Sequence, residues 1–291
     1  MRHSIKFLES GTRKSGDFPF YIYELNGKKG NMAINVHWHE EIEILYSDFD
    51  GIIELDTQSV NFERNSIIFI NKEQLHKVYA FSDGKMYALV FDFSFLDFKN
   101  NDICQNEIID KLKSKKFLFP KFTDTEKIKK IILNIIEAYF SNISGRELKI
   151  KCNLYELIFL FYTNNEFLIS EEVNVEYNAA QLTYVKNAIM FMENNYAEPV
   201  TIEMLAKNAN ISKYYLLKIF KCITGKTPII YLRELRIDIS KFFLAQGYSI
   251  TETALMSGFN NISYFIRYFK KETDVSPKKY QKRLALRKPT N

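Results

Sequence analysis

The chain has 291 residues, of which 46% are hydrophobic and 26% charged, so it carries enough apolar surface for globular cores and wholesale disorder is excluded. At about 150 residues per domain, this length predicts two domains. No stretch reaches the roughly 18 apolar residues of a membrane span, and residues 1–20 contain no apolar signal segment. We therefore expect a soluble cytoplasmic protein without a membrane partner.

The three cysteines, Cys104, Cys152 and Cys222, are far apart and have no paired spacing. This pattern indicates neither a disulfide framework nor a thiolate metal site.

Seven segments between residues 18 and 92 are short, rich in β-branched and aromatic residues, and separated in several places by Asn-Gly or Asp-Gly turns. Strands are predicted at residues 20–23, 32–36, 42–46, 52–55, 66–70, 76–81 and 86–91. So many short strands at this spacing are typical of a sandwich or barrel.

From about residue 101 the apolar period becomes helical. Helices are predicted at residues 123–141 and 146–162. The first has an apolar stripe formed by Ile128, Ile131, Ile132, Ile135, Ile136 and Tyr139. Two interpretations stay open, because the stripe either packs on the barrel of its own chain or forms a subunit interface. The polar residues 164–180 are suited to a linker.

Charge is distributed unevenly along the chain. Residues 1–180 contain 22 Lys and Arg against 27 Asp and Glu, whereas residues 181–291 contain 18 against 8. A basic C-terminal third favours a polyanionic partner such as nucleic acid. The alternative is an ordinary solvated basic surface.

The basic third contains an internal repeat with a displacement of 49 residues. Tyr215, Phe220, Lys221, Thr227-Pro228 and Tyr231 recur as Tyr264, Phe269, Lys270, Ser276-Pro277 and Tyr280. Each copy predicts a helix, a tight turn and a second helix. The helix predicted between the copies, residues 228–245, is about 27 Å long at 1.5 Å per residue. That length can hold two recognition helices about one DNA turn, roughly 34 Å, apart.

This repeat resembles the DNA-binding domain of the AraC/XylS family of bacterial transcription regulators. The family pattern of a paired helix-turn-helix is met at Leu205-Ala206, Ser212, Leu216, Phe220-Lys221, Gly225, Pro228, Tyr231-Leu232, Arg236, Ser249-Ile250, Ala254, Gly258-Phe259, Ser263-Tyr264-Phe265, Phe269-Lys270-Lys271 and Pro277. Three positions depart from it: Lys218 stands where Arg is usual, Thr253 where Ile is usual, and Asp274 where Gly is usual.

The resemblance implies a double-stranded DNA partner and a set of contact residues. Base-reading positions fall on Lys213, Tyr214, Leu217 and Lys218 in the first copy and on Asn261, Ile262, Ser263 and Arg267 in the second. Ser212, Lys221, Asn260, Lys270 and Lys271 complete the DNA-binding set. Arg267 suits guanine and Leu217 a thymine methyl, whereas Lys221, Lys270 and Lys271 suit phosphates.

In the first half, His37, His39 and Glu43 have the spacing His-x-His-x3-Glu, and His76 follows further along the chain. On one strand the first three would share a face and, with His76, converge as a plausible metal set. The arrangement resembles the cupin fold and the sensor barrel of the same regulator family. Three interpretations stay open: a metal site, histidines hydrogen-bonded in a barrel core, and contact with a small-molecule effector. No cofactor is expected, and Tyr21 and Tyr46 are candidates for stacking on an effector.

The resulting fold class is α+β and multidomain, with a cupin-like β-barrel (jelly roll), dimerisation helices, and an all-α domain with two helix-turn-helix motifs. The expected boundaries are 1–100 for the barrel, 101–163 for the dimerisation helices, 164–180 for the linker and 181–291 for the DNA-binding domain.

The favoured function is a ligand-responsive transcription regulator, an activator of a metabolic operon with carbohydrate metabolism as one candidate. It would act as a homodimer with RNA polymerase as a partner, and not as an enzyme. The alternative is a metal-dependent cupin enzyme with a basic C-terminal domain.

Overall fold

The computed structural model describes residues 18–56, 58–98, 102–123, 125–169 and 179–285. The chain divides into two compact units, with the boundary at residues 177 and 178. This boundary lies in the segment predicted as a linker, of which residues 170–178 fall outside the described residues. No helix among the described residues has the length and apolar character to cross a bilayer.

The N-terminal unit is built mainly from short antiparallel strands. They are β1 (Phe20–Gly27), β2 (Met32–His37), β3 (Ile42–Ser47), β4 (Gly51–Leu55), β5 (Gln58–Phe62), β6 (Ile67–Ile70), β7 (His76–Ala80), β8 (Gly84–Phe91), β9 (Phe117–Leu118), β10 (Phe122–Thr123) and β11 (Leu168–Ile169). A five-stranded sheet has the order β1-β8-β3-β6-β10, and a four-stranded sheet has the order β2-β7-β4-β5. A small third sheet pairs β11 with β9.

The two larger sheets face one another across an apolar core. Leu45 and Ile68 from the five-stranded sheet pack with Ile53 and Val78 from the four-stranded sheet, and all four are fully buried. Because strand side chains alternate between faces, these residues define the inner face of each sheet. The predicted sheet-rich N-terminal domain is confirmed.

Helices cover the outer face of the five-stranded sheet. A 3-10 helix (Phe93–Leu96) and a π-helical turn (Gln105–Ile109) precede α1 (Asp110–Lys113), α2 (Glu126–Phe140) and α3 (Arg146–Thr163). Outer-face residues such as Ile44 and Phe69 share one core with the helices. Strands β3 and β6 are therefore buried on both faces, which explains the continuous apolar sequence of β6.

The apolar stripe of α2 belongs to this core. Ile128, Ile131, Ile132, Ile135 and Ile136 are all buried against the barrel of their own chain. The interpretation of the stripe as a subunit interface is therefore wrong, because these side chains are already covered.

The C-terminal unit is helical. It consists of α4 (Ala179–Asn194), α5 (Ile202–Asn208), α6 (Lys213–Thr224), α7 (Pro228–Ala245), α8 (Ile250–Met256), α9 (Ile262–Thr273) and α10 (Pro277–Ala285). Helices α5 and α6 form the first helix-turn-helix, α8 and α9 form the second, and α7 connects them. The predicted α+β two-part fold with a paired helix-turn-helix is confirmed.

Local sequence signals set these helix ends. The Thr201 hydroxyl accepts a hydrogen bond from the Met204 amide and caps α5. Ser249 and Glu252 form a reciprocal capping box at the start of α8. Helix α6 ends at Gly225 and α9 at Asp274, both in the left-handed conformation.

Candidate functional site

The first recognition helix, α6, presents a polar and cationic face. Leu216, Ile219 and Phe220 are buried and fix the register of the helix, while Tyr214 is 80% exposed. The remaining predicted contact residues are exposed or half-buried: Ser212, Lys213, Lys218 and Lys221 are exposed, and Leu217 is half-buried.

Two residues of this set already have partners within the chain. The Ser212 hydroxyl accepts a hydrogen bond from the Tyr215 amide at 3.2 Å and so caps α6. Lys213 Nζ lies 2.8 Å from Glu203 Oε1 of α5 in an exposed ion pair. Ser212 therefore has a structural role. Lys213 has two further N–H donors and can contact a phosphate or a base only if it leaves Glu203 or shares its ammonium group with it.

The second recognition helix, α9, is oriented in the same way. Phe265, Tyr268 and Phe269 are buried, and Arg267 is exposed with its guanidinium carbon 5.5 Å from the centroid of the Tyr264 ring. Of the other predicted contact residues, Ile262 is half-buried and Asn260, Asn261, Ser263, Lys270 and Lys271 are exposed. An aromatic face under a guanidinium restricts its orientation, which prepares Arg267 for planar hydrogen bonding.

Asn261 is the N-cap of α9. Its Oδ1 accepts a hydrogen bond from the Tyr264 amide at 2.8 Å. The carboxamide oxygen is thus committed to the helix, and the amide protons are the part of the side chain that can reach a base or a phosphate.

In the N-terminal unit, the four residues His37, His39, Glu43 and His76 come together. One ligand atom from each lies within 4.8 Å of every other. His37 ends β2 and pairs with His76 at the start of β7, whereas Glu43 lies on β3 in the opposite sheet. The expectation that His37, His39 and Glu43 share one strand is wrong, because β2 ends at His37 and β3 begins at Ile42. The residues converge because the two sheets face each other.

All three histidines of this cluster, hereafter the His₃Glu cluster, are oriented by backbone carbonyls. The Nδ1 atom of His37 lies 2.8 Å from the Asn35 carbonyl oxygen, that of His39 3.0 Å from the Glu41 oxygen, and that of His76 2.9 Å from the Gln74 oxygen. A carbonyl can only accept, so each Nδ1 carries a proton that it donates. In a neutral ring, Nε2 then holds a free lone pair.

Two of these Nε2 atoms, those of His39 and His76, lie against the buried carboxylate of Glu43. Glu43 Oε2 lies 3.0 Å from His39 Nε2 and 3.1 Å from His76 Nε2. The His76 Nε2 is buried and makes no aligned hydrogen bond with the described residues. A lone pair that faces a carboxylate oxygen is repulsive unless a proton or a cation lies between them.

The charge states of His37 and Glu43 follow from their surroundings. Burial, together with the neighbouring His76 and His39, lowers the pKa of His37 to about 3, so this imidazole is neutral at physiological pH. Burial alone would raise the pKa of Glu43, but the side chains of His39 and His76 outweigh it and hold the pKa well below its usual range. The cluster therefore contains an ionised carboxylate and at least one neutral imidazole.

This donor set fits a divalent transition-metal ion. Such an ion takes imidazole nitrogen and carboxylate oxygen together, and the backbone carbonyls supply the outer hydrogen bonds that orient ligating histidines. A divalent cation would bind imidazole nitrogens and the Glu43 carboxylate at once.

The two tyrosines predicted as effector contacts lie on different faces of the five-stranded sheet. Tyr21 pairs with Val90, which also pairs with Glu43, so Tyr21 and Glu43 lie in one row on the inner face. Tyr46 is three residues from Glu43 and lies on the outer face, where it packs on the helix-covered core and donates a hydrogen bond to Asn65. The structure does not bring Tyr46 to the His₃Glu cluster.

Comparison with known proteins gives the family. Residues 205–283 match a family described as a helix-turn-helix domain. A helix-turn-helix-type transcriptional regulator from the cgkA 5′ region of Pseudoalteromonas carrageenovora is 38% identical over 113 residues, which are 39% of this chain and 68% of that protein. The chain belongs to the AraC/XylS family of transcription regulators.

Two further proteins resemble this AraC/XylS regulator over most of its length. YdeC of Bacillus subtilis, also a helix-turn-helix-type transcriptional regulator, is 22% identical over 262 residues, 87% of each chain. A structure of an apo ToxT variant from Vibrio cholerae aligns with a TM-score of 0.50 and 13% identity, covering 92% of this chain and 99% of that one. The similarity to ToxT shows the fold alone.

One residue of this regulator's recognition surface was missed by the sequence analysis. Ile266 is exposed on α9, next to Arg267. It lies 49 residues after Leu217, so the repeat that identified the other positions would have identified Ile266 as the counterpart of Leu217.

Proposed function

We propose that this regulator is an effector-responsive transcription activator that reads two adjacent sites on double-stranded DNA. The observation that carries the proposal is the pair of recognition helices, each exposing cationic and polar residues at repeat-related positions. Because its partner is DNA, we expect the regulator to act in the cytoplasm. The family resemblance implies activation of a metabolic operon. RNA polymerase is then the expected protein partner.

Within this proposal the contact residues have different tasks. Arg267 and its repeat counterpart Lys218 read base edges, with Arg267 able to hold guanine through two hydrogen bonds. Lys221, Lys270 and Lys271 contact phosphates, which position the protein without specifying sequence. Because Lys218 lacks the planar fork of an arginine, the first helix discriminates guanine less sharply than the second.

We infer that the His₃Glu cluster is the sensory site and that a divalent transition-metal ion is part of it. Three histidines oriented by backbone carbonyls and one buried carboxylate support a metal, because one ligand atom from each of the four residues lies within 4.8 Å of the others and one cation can bind them all. Tyr21, in the same row as Glu43, is placed to contact an effector bound there.

Dimerisation is proposed for the helical region 101–163, but through residues outside the buried stripe of α2. Leu133 and Phe140 of α2 and Leu148 and Phe159 of α3 are large, apolar and exposed. Leu133 and Phe140 are seven residues apart, and Leu148 and Phe159 eleven, so each pair shares a helix face. We propose that this apolar face meets its copy in a second subunit.

The experiment that tests the sensory site uses the full chain, purified with chelator and then titrated with Zn²⁺, Mn²⁺, Fe²⁺ or Ni²⁺. We expect one ion per chain, a rise in the thermal unfolding temperature, and a change in affinity for DNA selected from a random pool. His37→Ala should abolish all three effects, while Tyr46→Phe, on the other face of the sheet, should preserve them. If none of these ions binds stoichiometrically, the proposed metal site is wrong.

The same titration separates the regulator from the cupin enzyme. An enzyme needs an open coordination position for its substrate, and its metal would have no influence on DNA affinity. A metal-loaded chain with unchanged DNA affinity, together with metal-dependent turnover of a small molecule that His37→Ala abolishes, would favour the enzyme. A screen of sugars, amino acids and organic acids by thermal shift identifies the effector class.

A further inference from the structure

Arg236, near the middle of the connecting helix α7, donates two hydrogen bonds to a loop outside its own helix. Its Nε lies 2.7 Å from the Tyr196 carbonyl oxygen, and its Nη2 lies 2.7 Å from the Glu198 carbonyl oxygen. Both carbonyls belong to the loop between α4 and α5, immediately before the first helix-turn-helix. The guanidinium of Arg236 thus holds the loop that precedes the first helix-turn-helix against α7.

The turn of the second helix-turn-helix approaches the same guanidinium. Gly258, between α8 and α9, has φ +81°, and a Cβ placed on it would collide with the Tyr196 carbonyl oxygen and lie 2.8 Å from Arg236 Nε. The absence of a side chain at Gly258 therefore permits this close approach. Arg236, on the connecting helix, therefore lies against two other segments at one point: the loop before the first motif and the turn of the second motif.

Burying the charged Arg236 side chain costs more free energy than burying an apolar side chain of similar size would. Arg236 is partly buried, and burial lowers its pKa because the charged form loses hydration. A buried charge contributes little to stability compared with a hydrophobic residue of similar size, but it can fix one arrangement among several. Two directional hydrogen bonds from a rigid fork fix orientation better than an apolar contact, and better than a lysine would.

We propose that Arg236 is a positioning residue that sets the distance and angle between the two recognition helices, and so determines which spacing of DNA half-sites the regulator accepts. The proposal rests on DNA reading by both helices. Since α6 and α9 each enter a groove as part of a rigid pair, a shift of one motif relative to the other moves one helix out of register with its half-site.

The test uses the full chain and a DNA sequence that the wild-type chain selects from a random pool. Affinities are measured for this DNA, for DNA with each half-site scrambled in turn, and for DNA with one or two base pairs inserted or removed between the half-sites. The variants are Arg236→Lys, which keeps the charge, and Gly258→Ala, which disturbs the same contact from the opposite side.

For both variants we expect about a tenfold loss of affinity at the selected spacing, the order that loss of a hydrogen bond from a charged donor produces. Affinity for DNA with a single intact half-site should change less than about twofold, and the dependence on spacing should become flatter than in the wild type. Arg233→Lys serves as the control. Arg233 lies on the same helix, and its guanidinium carbon is 5.8 Å from the Tyr268 ring centroid, a cation–π contact that a lysine can also make, so this variant should keep the wild-type spacing profile.

A purely structural role for Arg236 would reduce binding to every DNA in parallel with a fall in the unfolding temperature, and the spacing profile would be unchanged. That result would overturn the proposal. A wild-type chain that selects no preferred DNA would overturn the reading function itself, which separates the two failures.

Discussion

At the scale of single residues, Asp274 shows how one side chain limits the stability of the second motif. It ends α9 in the left-handed conformation with φ 60°, where a side chain is disfavoured and glycine is not. Its carboxylate also lies at the negative end of the helix dipole. We expect Asp274→Gly to raise the free energy of unfolding of the C-terminal unit by about 1 kcal/mol, measured by urea denaturation.

Asp274→Ala is the matched control for this change. It removes the same charge but keeps a Cβ in the left-handed region, so it should bring no comparable gain. Equal stability of the glycine and alanine variants would show that the backbone conformation at this position is not the cause.

Arg267 and Lys270 lie one turn apart on α9 and separate base reading from phosphate contact. Arg267→Ala should lower the affinity for selected DNA by about 1 to 3 kcal/mol and leave binding to unrelated DNA nearly unchanged. Lys270→Ala should weaken both to a similar extent and reduce the salt dependence of binding. Fluorescence anisotropy at several salt concentrations measures both effects, and a parallel loss in Arg267→Ala would contradict a base-reading role.

At the scale of helices and strands, α2 and α3 each expose large apolar side chains. Leu148 is 67% and Phe159 58% exposed, although residues of this size are usually covered. We expect Leu148→Glu with Phe159→Glu to convert the dimer into a monomer in sedimentation equilibrium. Ile103→Glu, which changes an even more exposed apolar residue outside α2 and α3, should leave the dimer intact.

The exposed residues of α2 and α3 differ from the buried stripe of α2 in what sequence can say about them. Sequence periodicity located the stripe correctly, but it cannot say whether the covering surface belongs to the same chain. A wild-type chain that is monomeric at all concentrations, or a double variant that remains dimeric, would contradict the proposed face.

Elements with strong local signals were predicted from sequence, and elements set by tertiary contacts were not. Helix α7 has the bounds predicted for the helix between the two repeat copies, residues 228–245, and begins at Pro228. Strand β5 (Gln58–Phe62) was missed, because four of its five residues are at least partly exposed and pairing with β4 defines it. The pairing of Leu168–Ile169 with β9 was missed for the same reason, since it joins segments about 50 residues apart.

The residues of the candidate sites were likewise predictable only where a local sequence pattern determines their position. A periodic inward stripe such as Leu216 and Phe220 determines which residues of a helix face outward, so the recognition surface follows from sequence. The residues of the His₃Glu cluster were identified from their types and spacing, but their convergence depends on two sheets that face each other, which one strand does not reveal. Tyr46 was predicted to stack on an effector, but it is an odd number of residues from Glu43 on β3 and therefore lies on the opposite face of the sheet.

At the scale of the whole molecule, the charge asymmetry matches the division of the chain into two units. The basic residues concentrate in the unit with the two recognition helices, and the acidic excess lies in the part of the chain that contains the sheets. A basic reading unit is attracted to any DNA, so specificity has to come from both helices binding bases at once. Specific binding therefore depends on two simultaneous groove contacts.

Hydroxyl-radical footprinting of the full chain on its selected DNA tests this claim most directly. We expect two protected patches for each DNA-binding unit. Their centres should lie one helical turn, about 10 base pairs, apart on the same face of the duplex. Arg267→Ala should weaken only the patch that belongs to α9. A single protected patch, or protection spread evenly along the duplex, would contradict the account.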